Sequence, residues 1–246
     1  MQNDKEQAAK VALVLGGSRG IGAAIVSRLA ADGAKVAFTY SSSPDRAEAL
    51  VAKLAQDQHE AIALHADSGD AAEVKAAVDQ TLQRFGRLDI LVVNAGIMQL
   101  ATIDQFALED FDRMVAVNIR GVFAALHYAA PHLSEGGRII TIGSNVAVRV
   151  GFPGTSIYAM SKAAVAGLVK GVAMDLAPRG ITVNNIQPGP TTTDMTKGIA
   201  ELVLPLVPLG RMAETREIAG LVSYLVREEA GFVTGASLTI DGGYSV

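Results

Sequence analysis

Tyr158 and Lys162 stand four residues apart in Tyr158-Ala-Met-Ser-Lys162, inside a stretch that reads as helix. Residues at that spacing share a helical face, so an ammonium can sit beside a phenol. A free tyrosine keeps its proton to about pH 10, and a cation within roughly 4–6 Å favours the phenolate and lowers that value. The expectation is an acid–base phenol tuned downward by its neighbour. Taken alone, the pair also suits an ordinary amphipathic helix face.

A second chemical feature lies near the start of the chain. The apolar run Val11–Leu15 leads directly into Gly16-Gly-Ser18-Arg19-Gly20-Ile21-Gly22 and then a helical pattern. Glycines there allow a tight turn and close backbone approach, and the free amides at the start of the next helix attract a pyrophosphate. A glycine-rich turn can also be purely structural, and the spacing is GxxxGxG rather than the commoner GxGxxG. Metal chemistry finds no support: His59, His65, His127 and His132 are scattered, there is no HExxH, and cysteine is absent.

These groups need a scaffold, and the chain supplies a regular one. Short runs rich in β-formers (Val11–Leu15, Lys35–Tyr40, Ala61–His65, Asp89–Val93, Arg138–Ile142, Ile181–Ile186 and Ser237–Ile240) alternate with helical segments. The helices are expected over about Ile21–Ala31, Asp45–Gln56, Asp70–Phe85, Leu108–Ala130, the Tyr158 segment to Leu176, and Thr215–Val226. Such alternation, with strands nearly continuous in Val, Ile and Leu, predicts an α/β class protein with a parallel sheet covered by helices on both faces. Its 246 residues suit a single domain over 10–246. Residues 1–9 and the stretch 191–209 read as mobile.

Composition narrows the class. A net charge of −4 from interspersed charges argues against a nucleic-acid surface. The polar start does not read as a signal peptide, and no apolar run is expected to reach the roughly 18–20 residues that span a bilayer. The absence of cysteine suits a reducing compartment. The expectation is a soluble, cytoplasmic protein that binds neither membrane nor nucleic acid.

The glycine turn, Asn94-Ala95-Gly96 after the fourth strand, Ser144 after the fifth, Tyr158-xxx-Lys162, Pro188-Gly189 after the sixth and the terminal Asp241-Gly-Gly243 together resemble the classical short-chain dehydrogenase/reductase family. The resemblance runs from Val11 to Tyr244. It implies a Rossmann-like fold with a seven-stranded parallel sheet, a nicotinamide cofactor and a homotetramer or dimer. It also implies a catalytic set of Asn118, Ser144, Tyr158 and Lys162. Tyr158 would exchange a proton with the substrate oxygen, and Ser144 would stabilise charge on that oxygen. Lys162 would lower the tyrosine pKa and hold the nicotinamide ribose. Asn118, in Val117-Asn-Ile-Arg-Gly121, would distort its helix and anchor a water that leads to Lys162.

For the cofactor, the resemblance points to the glycine turn (Gly16, Ser18, Arg19, Gly20, Ile21, Gly22), to Asp67 and Ser68 at the adenine, and to Asn94, Ala95 and Gly96 at the adenosine ribose. Pro188, Gly189, Thr191 and Thr193 would meet the carboxamide or phosphates, and Tyr158 and Lys162 the nicotinamide ribose. An acidic residue at the end of the second strand would bind the 2′-hydroxyl of NAD, but the strand ends Tyr40-Ser41-Ser42-Ser43 with no carboxylate before Asp45. With Arg19 in the turn, NADP(H) is expected over NAD(H). Arg19 could otherwise be a solvated turn residue and Asp67 a simple helix cap.

Two positions depart from the family pattern, which usually has threonine at Leu15 and asparagine at Val93. Lying on neighbouring strands, two apolar replacements can pack against each other. The expected substrate pocket, at Ile97, Met98, Val150–Phe152, Pro190, Met195 and Leu202–Leu206, is mostly apolar and suits a ketone or aldehyde with a hydrophobic substituent. A carbonyl reductase is the first reading. Pro208-Leu-Gly-Arg-Met212 and the Thr234–Gly243 segment also resemble 3-oxoacyl-[acyl-carrier-protein] reductases, although Leu133-Ser-Glu135 offers no basic patch to an acidic carrier. A reading of another class is a cyclic-di-GMP-binding protein of the biofilm-dispersal type, which the glycine turn and Val92-Val-Asn-Ala-Gly96 also resemble.

Overall fold

A computed structural model describes residues 9–246; the expected flexible N-terminus lies, apart from Ala9, outside them. Seven parallel strands form one sheet, in the order β3-β2-β1-β4-β5-β6-β7. They are β1 (Val11–Leu15), β2 (Lys35–Tyr40), β3 (Ala61–His65), β4 (Leu88–Val93), β5 (Leu133–Ile142), β6 (Thr182–Pro188) and β7 (Ser237–Ile240). Chain order reverses between β1 and β4. A doubly wound sheet opens a crevice at such a point, beyond the carboxyl ends of its strands.

The helices cover both faces. On one side α3 (Ala71–Phe85), α5 (Gly121–Ala129) and α6 (Ser156–Leu176) bury Val74, Val122 and Val169 against Leu13, Leu91 and Ile139. On the other, α1 (Gly20–Ala31), α2 (Pro44–Gln56) and α8 (Thr215–Leu225) bury Ile25, Leu54 and Val222 against Val14, Val92 and Ile140. Consecutive strand residues feed opposite cores, which is why the strands are apolar throughout rather than alternating. Local signals set the helix ends. The Asp70 carboxylate accepts from the amides of Ala72 at 2.7 Å and Glu73 at 3.3 Å, and Gly86 closes α3 with φ +77°. Leu15 and Val93 are direct partners across β1 and β4 and are both buried in the same core.

Three expectations change. The single helix expected over Leu108–Ala130 is α4 (Leu108–Val115), a π-helical turn (Ala116–Arg120) and α5. β5 starts at Leu133, not Arg138, because Leu133 pairs with Leu88 ahead of a register irregularity. The helical run Ser156–Arg179 is 24 residues long and contains an 18-residue window of mean hydropathy 1.3, which does meet the length and composition needed to cross a bilayer. Its Val165, Val169 and Ala173 pack on the sheet, so in this fold it is a core helix.

The segment 191–209 holds α7 (Ala200–Val203) and two short 3₁₀ turns, Asp194–Thr196 and Leu204–Leu206. It is tied down at both ends. The Thr192 amide donates to Ala213 O at 2.9 Å and the Leu209 amide to Gly242 O at 3.1 Å. Arg46 of α2 reaches Asp194 at 2.6 Å, and this guanidinium is the main reason the Asp194 carboxyl is held down at about 2.

Candidate active site

The crevice at the chain-order reversal is a cleft of about 540 Å³, the size of a small-molecule site. Its floor is the glycine turn. Gly16 has φ +75° and its amide donates to Thr39 Oγ1 at 2.9 Å, while Asn94 Nδ2 donates to Gly16 O at 2.7 Å. Gly22 sits beneath this arrangement: a Cβ there would collide with Gly16 O and lie 2.6 Å from Asn94 Nδ2. Glycine therefore lets α1 start directly against the first strand. Arg19, the N-cap residue of α1, makes no side-chain cap bond, and the first turn of α1 has no acidic residue. The helix start thus offers amides and a positive dipole end to the cleft, the chemistry that holds a phosphate.

Along one wall, Tyr40 ends β2 and Ser41, Ser42 and Ser43 follow it, while Asp67 and Ser68 follow β3. Asp67 Oδ1 accepts from Arg113 Nη2 at 2.9 Å and from the Gly69 amide at 2.8 Å. Arg113 is the first reason its carboxyl lies below the usual range. Asp67 is not the cap of α3; Asp70 has that role. Asn94, Ala95 and Gly96 leave β4, and Pro188, Gly189, Thr191 and Thr193 leave β6, to line the opposite side.

At the far end the cleft is lined by Ser144, Tyr158 and Lys162. Ser144 follows β5 and caps the short turn Asn145–Ala147, its Oγ accepting from the Val146 amide at 3.3 Å. Tyr158 lies in the first turn of α6, with Lys162 one turn on. Lys162 Nζ is 5.7 Å from the Tyr158 ring centroid and donates to Ile142 O at 3.0 Å.

The electrostatics correct the expected tuning of Tyr158. Burial pushes the Tyr158 phenol up to about 12, opposed only by a hydrogen bond with Ser144, and burial pulls Lys162 down to about 8. Both shifts have the same origin, because burial disfavours phenolate and ammonium alike. At neutral pH the phenol therefore keeps its proton and can donate a hydrogen bond, although burial makes it a weaker acid than a free tyrosine.

Asn118 and Gly22 do not line the cleft. Asn118 is buried in the π-helical turn, where Oδ1 accepts from the Ile97 amide and Nδ2 donates to Ile97 O, each at 2.9 Å. Nδ2 also donates to Ser161 Oγ at 3.1 Å. It clamps the segment after Gly96 to the helix that carries Tyr158. A Cβ on Gly96 would stand 3.3 Å from Lys162 Nζ and 3.4 Å from Asn118 Oδ1.

Of the pocket positions expected, Ile97, Met98, Phe152, Pro190, Met195 and Val203 line the cleft. Val150, Gly151, Leu202 and residues 204–206 do not; Val150, Leu202 and Leu204 face solvent instead. Sequence reasoning missed Val146, Thr155, Ile199, Arg113 and Tyr244. The last comes from the chain terminus and carries no motif of its own.

The family profile described as enoyl-(acyl carrier protein) reductase matches residues 16–245. A short-chain dehydrogenase/reductase from Serratia marcescens superposes with a TM-score of 0.94 at 54% identity, covering 96% of this chain and 98% of that one. A short-chain dehydrogenase from Burkholderia cenocepacia, in complex with NADP, gives 0.94 at 48% identity with the same coverage. The cyclic-di-GMP-binding biofilm dispersal mediator protein of Escherichia coli is 43% identical over 96% of this chain and 97% of its own length.

Proposed function

The chain belongs to the classical short-chain dehydrogenase/reductase family, and on that premise we propose that it is an NADPH-dependent carbonyl reductase acting on a ketone or aldehyde or, in reverse, on a secondary alcohol. One observation carries this reading: a buried phenol that keeps its proton at neutral pH, Tyr158, shares a cleft with Ser144, Lys162 and an uncapped helix start.

The residues fit NADP(H). The glycine turn packs so closely that a Cβ at Gly16 would press on Ala95 and one at Gly22 on Gly16 O, which brings the start of α1 to the cleft; its amides suit a pyrophosphate, and the second strand ends in hydroxyls and no carboxylate. The NADP complex of the Burkholderia relative supports the same choice. Asp67, held ionised by Arg113, would accept from the adenine amino group, and Arg19, Ser41 and Ser42 would meet the 2′-phosphate. When bound, the cofactor supplies the hydride for reduction. Tyr158 gives its proton to the substrate oxygen as the carbonyl carbon becomes C–H, and Ser144 steadies the charge on that oxygen. Lys162 holds the ribose and offsets charge left on the phenolate. Asn118 acts at a distance, by fixing Ile97 and through it the mouth of the site. Segment 191–209 would move to admit substrate. In this reading the protein works in the cytoplasm as a homotetramer on a small molecule.

The test is oxidation of NADPH and of NADH on a panel of ketones and aldehydes. Turnover with NADPH is expected, and none with any carbonyl would overturn the proposal. The name of the Escherichia coli relative motivates a second arm, titration with cyclic-di-GMP. Binding without NADPH oxidation would favour a binding protein, against which the intact Asn118, Ser144, Tyr158 and Lys162 argue. An oxoacyl thioester in the panel tests the remaining alternative.

A further inference from the structure

Tyr244 lies two residues from the C-terminus, yet it is only 2% exposed and lines the cleft that holds Ser144 and Tyr158. The tail is built to keep it there. Arg149 Nη1 donates to Tyr244 O at 2.5 Å and to Val246 O at 3.3 Å, and its guanidinium stands 5.7 Å from the centre of the Tyr244 ring. The Asp241 carboxylate accepts from the Gly243 amide at 3.0 Å and the Ser245 amide at 2.9 Å, which turns the chain back toward the site. Gly151 makes room for the phenol, since a Cβ at that position would collide with the hydroxyl oxygen.

With its ring clamped and its backbone fixed, the hydroxyl of Tyr244 has no hydrogen-bond partner among the described residues. Unlike Arg138 Nε, Thr182 Oγ1 and Ser245 Oγ, this oxygen is not sealed from solvent, so a partner from outside the chain can reach it. Burial also pushes its pKa up, so at neutral pH it is a phenol able to donate or accept. The cleft that Tyr244 lines also has apolar walls, with Met98, Phe152, Met195, Ile199 and Val203 among its lining. A fixed polar atom beside apolar walls is what orients a ligand.

We propose that Tyr244 is a specificity-determining residue, whose hydroxyl hydrogen-bonds a polar group that the substrate carries away from its reacting carbonyl. This rests on the reductase reading and narrows it. The substrate class is a carbonyl compound with an apolar body and a second hydrogen-bonding group such as a hydroxyl. The site that rejects its plain analogue does so because the phenol is then left unpaired.

The test compares acetophenone with its ortho-, meta- and para-hydroxylated forms on the full chain. Binding is followed by calorimetry with NADP⁺ present, and turnover by NADPH oxidation. At least one hydroxylated isomer is expected to bind about tenfold more tightly than acetophenone, the worth of one hydrogen bond. Tyr244→Phe, which keeps the ring over Arg149, should erase that advantage and leave acetophenone binding, NADPH binding and melting temperature unchanged. No advantage for any isomer in the parent protein, or an advantage that survives in Tyr244→Phe, overturns the proposal. Equal weakening of all ligands together with a lower melting temperature would make Tyr244 a structural residue only and overturns it too. Discrimination in binding without oxidation of NADPH would sink the reductase reading while leaving the role of Tyr244 in ligand selection intact.

Discussion

Lys162 Nζ donates to the carbonyl of Ile142 at 3.0 Å, so the cation of the Tyr158 pair is tethered to the strand end that leads into Ser144. The anchor keeps an ammonium in a site where burial pulls its pKa from 10.5 to about 8. Between those values the unfolded chain holds a proton that the folded chain has released, so stability rises with pH over that window. The Tyr158 phenol acts oppositely, since its folded value of about 12 exceeds 10.0 and stability falls as pH climbs between the two. The unfolding free energy from urea titrations should therefore climb between pH 8 and 10, by on the order of 2 kcal/mol from this lysine. Lys162→Met should flatten that rise; an equally steep rise in the variant would remove Lys162 as its source.

Tyr158→Phe removes only the proton donor and keeps the ring under Lys162. Loss of a positioned general acid costs about 10²–10⁴ in rate, so kcat should fall by at least that factor while NADPH affinity holds. Fluorescence titration of NADPH beside steady-state kinetics checks both halves. Near-normal turnover would assign the proton to another group.

Gly22→Ala tests the cofactor floor with one added carbon. Its Cβ meets Gly16 O and Asn94 Nδ2, backbone and clamped amide rather than a flexible side-chain tip, so neither can yield without opening the turn. NADPH binding should be lost, and thermal stability should drop by an amount typical of overpacking, about 1–3 kcal/mol. Retained affinity would mean that the pyrophosphate lies elsewhere.

The scaffold was readable from sequence because its physics is local. Strands buried on both faces must be apolar throughout, and the helices between them are long enough to show their ends; Asp70 and Gly86 mark those of α3. The catalytic groups were readable because motifs in order carry them. What escaped depends on contacts that sequence distance hides. Asn118 reads from the sequence as a residue that distorts its helix, and a π-helical turn is there, but its clamp on Ile97 is seen only in the fold. Arg46 and Asp194 are 148 positions apart and neither belongs to a motif. Tyr244 enters the cleft only because Arg149 and Asp241 turn the tail inward. The sign of the Tyr158 shift escapes for a similar reason: spacing shows the nearby cation, but only packing shows that both groups are largely buried.

Two arginines stand near the serines after β2, and their engagements decide which one can read a 2′-phosphate. Arg46 is paired with Asp194 across the mouth of the cleft. Arg19 lines the cleft, is exposed, and forms no ion pair among the described residues. A free cation at the start of α1 gains a full charge-assisted contact from a phosphate, whereas Arg46 must first leave a carboxylate. Arg19→Ala should therefore raise the KM for NADPH by roughly ten- to a hundredfold, the worth of one charged hydrogen bond, and leave that for NADH nearly unchanged. Arg46→Ala should alter both by similar, smaller factors. Steady-state kinetics with each nicotinamide distinguishes the two variants. An equal rise in both KM values for Arg19→Ala would mean that Arg19 serves the pyrophosphate common to both cofactors, and NADP preference would then have to come from the hydroxyls of Ser41 and Ser42.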